Sequence, residues 1–231
     1  MKARNKARVA APAAILFYEA VIRPWQEHWG ATEAESAEVL RGDHLVAEPA
    51  HQVTRAITID APPEEVWPWI AQLGADRGGF YSYDWLEDSF GLDIHSAGDV
   101  HPEWQGLAVG DVVYANRSRT AGWYVLDLVP GELLVLAVAD LLNDRPVRRD
   151  EGLRWEFLWT FAVRPVGERR TRLVVRERVA FGSRAAKWLM APMGLVSFVM
   201  TRKMMHGIKC RVEGLADAQA HERSEQLDLV S

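Results

Sequence analysis

Residues 154–164 read Arg-Trp-Glu-Phe-Leu-Trp-Thr-Phe-Ala-Val-Arg, an alternation that only a β-strand puts to use. Trp155, Phe157, Trp159, Phe161 and Val163 fall on one face, whereas Arg154, Glu156, Thr160 and Arg164 fall on the other. This is the two-residue period of a pleated strand with one apolar side. Four aromatic rings on one face of a single strand demand a broad apolar partner. That requirement rules out a small sheet with both faces in water.

The rest of the chain supplies both the sheet and its partner. Residues 52–60 alternate, with Val53, Ile57 and Ile59 on one side and Thr54 and Thr58 on the other. Residues 111–116, 122–129, 133–139 and 172–181 are further strands. Pro130-Gly131 and Val166-Gly167-Glu168 are turn signals between neighbours, as antiparallel hairpins require. A long helix is predicted over about residues 195–220, where Leu195, Phe198, Met205, Ile208, Val212 and Leu215 recur at steps of three and four. Strands grouped together and closed by helices give an α+β class.

Between the first strand and the strand run lies Ala61-Pro62-Pro63-Glu64-Glu65-Val66-Trp67. Proline ends the strand, Pro63 suits a first helical turn, and the two glutamates favour its positive end. Pro68 is expected to kink or split this helix. Then comes Arg77-Gly78-Gly79-Phe80-Tyr81-Ser82-Tyr83-Asp84-Trp85-Leu86-Glu87, a mixture of glycines, aromatics and charges that core filling alone does not ask for.

These two stretches, together with Arg202-Lys203-Met204-Met205-His206-Gly207-Ile208-Lys209, resemble the SRPBCC superfamily of START-like, Bet v 1-like and polyketide cyclase/dehydrase-like proteins. The likeness is greatest to a bacterial subgroup without an assigned reaction, and it covers roughly residues 29–213. It implies a helix-grip fold: a curved antiparallel sheet wrapped around a long C-terminal helix, with a cavity between them. An extra N-terminal helix lies outside the match. The expected organisation is an amphipathic helical appendage over residues 1–30, the helix-grip domain over 31–220 and a polar tail over 221–231.

Composition removes several function classes. The net charge is −5, and no basic stripe alternates with aromatics, so a nucleic-acid partner is not expected. The single cysteine, Cys210, allows neither an internal disulfide nor a cysteine-based zinc site. There is no Gly-x-Ser-x-Gly elbow, phosphate loop or dinucleotide fingerprint, and no cofactor is expected. At the N-terminus Lys2, Arg4, Lys6 and Arg8 precede the mostly apolar residues 9–22, which Pro12 and Glu19 interrupt. That run is shorter than the roughly 20 residues of a spanning helix. An amphipathic helix follows, packed on the domain or lying at a membrane surface. The expected location is the cytoplasm, with membrane association as the alternative.

Chemistry is sought on the inner face of the sheet. Glu177 shares a face with Leu173, Val175, Val179 and Phe181, so its carboxylate is paired, protonated or exposed. Left unpaired in a pocket it would suit general acid/base work; an arginine on a neighbouring strand would make it structural instead. His95 is the second acid/base candidate. It belongs to the segment 93–103, whose two histidines and three carboxylates match no defined metal spacing, and no metal is assigned. Arg77, Phe80, Tyr81, Tyr83 and Trp85 are candidates for a cavity mouth. Trp123, Trp155, Phe157, Trp159, Phe161 and Met205 are candidates for its walls. The expected function is binding of a hydrophobic small molecule, a lipid or polyketide-like compound. The alternative is an enzyme of the cyclase, dehydratase or isomerase kind, with Tyr81 or Tyr83 steadying an oxyanion in the same cavity.

Overall fold

A computed structural model describes residues 16–82, 96–147, 155–186 and 193–228, the last stretch by its backbone alone beyond residue 214. Seven strands make one antiparallel sheet: β1 His51–Ile59, β2 Val112–Tyr114, β3 Gly122–Val129, β4 Leu133–Asp140, β5 Arg145–Pro146, β6 Trp155–Pro165 and β7 Thr171–Phe181. Their spatial order is β1-β7-β6-β4-β3-β2, with the short β5 beside β4. The first strand thus pairs with the last, and β6 and β7 form a long hairpin at the centre. A register shift between Val125 and Asp127 in β3 adds local twist and curvature.

The α+β helix-grip architecture is the one observed. The terminal helix, Met193–Asp228, lies across the concave face. Met204, Met205, Ile208 and Val212 are buried there against Ile59, Leu134, Phe161, Val163, Leu173 and Val175. Leu195, assigned to this stripe from the sequence, is exposed instead. Gly207 is where the helix approaches a neighbour most closely, because a Cβ there would sit 2.4 Å from the Tyr81 carbonyl oxygen.

The helix Pro63–Ala71 continues through Pro68, so the residue does not split it. Pro68 withholds one amide donor only, and its carbonyl accepts from Gln72 N at 3.2 Å. Gln72, fully buried, then acts as a hub. Its amide nitrogen donates to Tyr81 Oη at 2.9 Å and to the Asp99 carbonyl at 3.0 Å, and its oxygen accepts from His101 N at 3.0 Å.

The convex face is covered as well. Residues 31–50 cross it, including the short helix Glu33–Ala37 with its Thr32–Glu35 capping box. Beneath this strap a second apolar cluster joins Val46 to Ala56, Val135, Leu158 and Val174. Three arginines of β7 hold the strap down. Arg172 pairs with Glu35 at 2.7 Å, and Arg176, fully buried, pairs with Asp43 at 2.7 Å and bonds the Glu35 and Glu38 carbonyls. Arg178 bonds Gln52 and the Val46 carbonyl.

Candidate ligand cavity

The space between sheet and helix is packed at one end and open at the other. Toward the Leu173 end of β7 the side chains interlock as a solid core. Toward the Phe181 end a cavity of about 650 Å³ remains. That volume lies within the ~300–1,000 Å³ typical of small-molecule sites. The sheet contributes Val53, Trp123, Val138, Phe157, Val179 and Phe181, and the first turns of the terminal helix contribute Met193, Val196, Met200 and Met204. The lining is therefore predominantly aromatic, aliphatic and thioether.

The aromatic face of β6 forms one wall, as its alternation dictates. Trp155 lies 5.7 Å from Phe157, and Trp159 lies 5.4 Å from Trp123 and 6.3 Å from Phe80, ring centre to ring centre. The first of these contacts is edge-on, the second tilted and the third stacked, so the rings avoid a close face-to-face sandwich. The indole nitrogens of Trp123 and Trp159 are buried with no hydrogen-bond partner among the described residues.

Glu177 borders this cavity and is 5% exposed. It is not an isolated acid. Arg55, 2% exposed, donates from Nη1 to Glu177 Oε1 at 2.7 Å. Thr201 Oγ1 donates to the same oxygen at 2.9 Å, and Ser197 Oγ donates to Oε2 at 2.5 Å. Arg55 is fixed in turn through Nε to the Gln26 carbonyl at 3.0 Å and over the Phe198 ring at 5.5 Å. The strand register explains the pair. Val53 stands opposite Glu177 and Arg55 opposite Val175, so the two charges are diagonal neighbours on one face. Sheet and terminal helix are thereby tied together through buried, charge-assisted bonds.

The roof is the N-terminal helix, a π-helical turn Tyr18–Ile22 continued by Arg23–Glu27. Tyr18, Glu19, Arg23, Gln26 and Glu27 border the cavity. Arg23 reaches Glu19 at 2.7 Å, Glu27 at 2.9 Å and His51 Nδ1 at 2.8 Å, clipping the helix to the start of β1. The polar face of this helix is turned inward. Its apolar stripe, Phe17, Val21 and Trp25, is 58%, 51% and 55% exposed.

Of the residues singled out from the sequence, Phe80, Trp123, Trp155, Phe157, Trp159 and Glu177 meet at the cavity. Four others stand elsewhere. Phe161 and Met205 are at the packed end of the core. Arg77 lies 4.0 Å from Asp111, away from the cavity lining. Tyr81 is packed edge-on against Trp69 and beneath Arg211, with its hydroxyl on Gln72; burial pushes its phenol well above the ordinary range. Tyr83, Trp85 and His95 lie outside the described residues. Among the described residues no group of three metal-ligating side chains converges.

The sequence reading missed Arg55, Gln26, Ser197 and Thr201. Arg55 carried a usable signal: it has the same parity as Val53 and Ile57, which places a guanidinium on an apolar inner face. Gln26, Ser197 and Thr201 carried none, because only the docking of two helices brings them to Glu177.

No family model matches this chain, and no curated protein matches it. Solved structures do align with it. A protein from Mesorhizobium loti is 16% identical, with a TM-score of 0.39, over 71% of this chain and 97% of the other. Norcoclaurine synthase from Thalictrum flavum, in complex with dopamine and hydroxybenzaldehyde, is 12% identical, with a TM-score of 0.40, over 77% and 95%. CalU16 from Micromonospora echinospora is 18% identical, with a TM-score of 0.31, over 72% and 86%. At this level of similarity none of them specifies a ligand or a reaction for this chain.

Proposed function

We propose that this protein binds a mostly apolar small molecule in the cavity between the sheet and the first turns of the terminal helix. One observation carries the proposal: the fold leaves about 650 Å³ open along an aromatic wall while packing the other end of the same interface. Native interiors have few voids larger than a water molecule, because unfilled apolar volume forfeits dispersion contacts. A guest lying along Trp155, Phe157 and Trp159 would restore them.

Binding is placed ahead of catalysis because of Glu177. Proton transfer requires an acid or base with a free site, whereas both oxygens of Glu177 are engaged by Arg55, Thr201 and Ser197. Tyr81, one of the two phenols expected to steady an oxyanion, has its hydroxyl on Gln72 and is absent from the lining; the other, Tyr83, lies outside the described residues. Native mass spectrometry of freshly purified protein is expected to retain an apolar adduct. After delipidation, the neutral probe N-phenyl-1-naphthylamine is expected to bind and to quench tryptophan fluorescence. No adduct together with no probe binding would overturn the proposal.

A second reading concerns a surface. The outward stripe of the N-terminal helix, with Leu16 and Leu195 also exposed, sits beside the cavity roof and follows a segment whose charges are Lys2, Arg4, Lys6 and Arg8. No described helix is long and apolar enough to cross a membrane. Exposed apolar residues beside cationic ones suit contact with an anionic bilayer surface.

A further inference from the structure

We infer that the ligand carries a neutral carbonyl oxygen, received by Arg55 and Gln26 at the buried polar end of the cavity. This rests on the cavity being a binding site and goes on to name the chemistry its guest must have.

The inference comes from counting donors and acceptors. A guanidinium has five N–H groups. Arg55 directs Nε to the Gln26 carbonyl, and Nη1 to Glu177 Oε1 and to Ser197 Oγ at 3.2 Å. Among the described residues nothing accepts from Nη2. Gln26 is similar: its Oε1 accepts from Tyr18 Oη at 3.2 Å, and its Nε2 has no acceptor among the described residues. Both residues border the cavity, and both are more than nine-tenths buried. The acceptors at this end are largely used: Glu177 Oε1 accepts from Arg55 and Thr201, Oε2 from Ser197, and Ser197 Oγ from Arg55. The site therefore offers N–H donors that are accessible from the cavity, and a guest that covers them without supplying an acceptor incurs the cost of their lost hydration.

Charge selects the kind of acceptor. Among the described residues three carboxylates border the cavity (Glu19, Glu27 and Glu177) against two guanidiniums (Arg23 and Arg55), one unit negative when His51 is counted as neutral. A carboxylate guest would face Glu177 across Arg55 inside a low-dielectric pocket, where like charges repel strongly. A ketone, ester or amide oxygen gains the same donors without that repulsion. The remainder of the guest lies on the apolar wall.

Three probes of nearly one shape test this by calorimetric titration of the full chain: 2-acetylnaphthalene, 2-ethylnaphthalene and 2-naphthoate. The acetyl compound is expected to bind about tenfold tighter than the ethyl compound, the return of a hydrogen bond from a charged donor. It is also expected to bind tighter than the naphthoate. In Arg55→Met/Glu177→Met, which removes the charges together, the acetyl preference should disappear while the ethyl compound still binds. Gln26→Met, which leaves the ion pair intact, should lose part of the preference and serves if the double variant does not fold. Equal binding of acetyl and ethyl compounds, tightest binding of the naphthoate, or a preference that survives the variants would each refute the carbonyl assignment and leave the cavity standing. Failure of all three probes to bind would remove the cavity reading and this one with it.

Discussion

At the scale of single residues the molecule turns on one ion pair. Arg55 and Glu177 are both nearly inaccessible, and each would be a buried unpaired charge without the other. Taking away one member of such a pair costs about 3–5 kcal/mol, whereas replacing both by apolar side chains of similar volume is often neutral. Glu177→Leu is therefore expected to lower the free energy of urea unfolding by about that amount, and Arg55→Met/Glu177→Met to recover most of it. A Glu177→Leu variant as stable as the parent would show that the pair holds nothing together. The odd position of Glu177 was legible in the sequence, because strand parity alone puts a carboxylate among Leu173, Val175, Val179 and Phe181. Its partnering was not. Parity places Arg55 on the inner face, but the diagonal register that joins it to Glu177 exists only once the first strand pairs with the last.

Elements show the same division between local and distant causes. The two-residue spacing of aromatics in β6, the breaks at Pro62 and Gly131, and the apolar stripe of the terminal helix are local, and they led to the fold. The covering of the convex face is not local. Residues 31–50 look polar and peripheral in sequence, yet Asp43 is buried under Arg176, and Glu35 closes on Arg172 across the sheet. This contact gives the strap a pH dependence with a definite sign. The hydrogen-bonded Arg172 guanidinium lowers the Glu35 carboxyl to about 2, against some opposing desolvation. A carboxyl lowered on folding contributes its full stability above the ordinary carboxylate range and loses it as pH falls toward that lowered value. Arg172→Gln is expected to cost about 1–2 kcal/mol at neutral pH, after allowance for partial screening. The difference from the parent should shrink as pH falls from about 4.5 to about 2. Thermal unfolding of both proteins across that interval checks it; a difference independent of pH would assign the effect to the Arg172 bonds with Gly30 and Thr58 instead.

At the scale of the whole molecule, the cavity roof and the exposed apolar stripe are two faces of one short helix. The charged face of that helix, Glu19, Arg23 and Glu27, is turned toward the cavity mouth and His51, which leaves Phe17, Val21 and Trp25 outside. A surface helix normally does the reverse, since outward apolar side chains gain nothing from water. The inversion makes sense if the outer face meets something apolar, and the four cationic residues that precede it point to an anionic lipid surface. The full chain is expected to float with vesicles containing phosphatidylglycerol, and less so as salt is raised. Phe17→Ser/Val21→Ser should lower the partition into vesicles by about a hundredfold or more, because each buried apolar side chain is worth about 1.5–3 kcal/mol. The same variant should bind N-phenyl-1-naphthylamine as the parent does, since neither side chain borders the cavity. Absence of flotation at any lipid composition, with a dimer on size-exclusion chromatography that the double serine variant abolishes, would instead assign the stripe to a second copy of this chain.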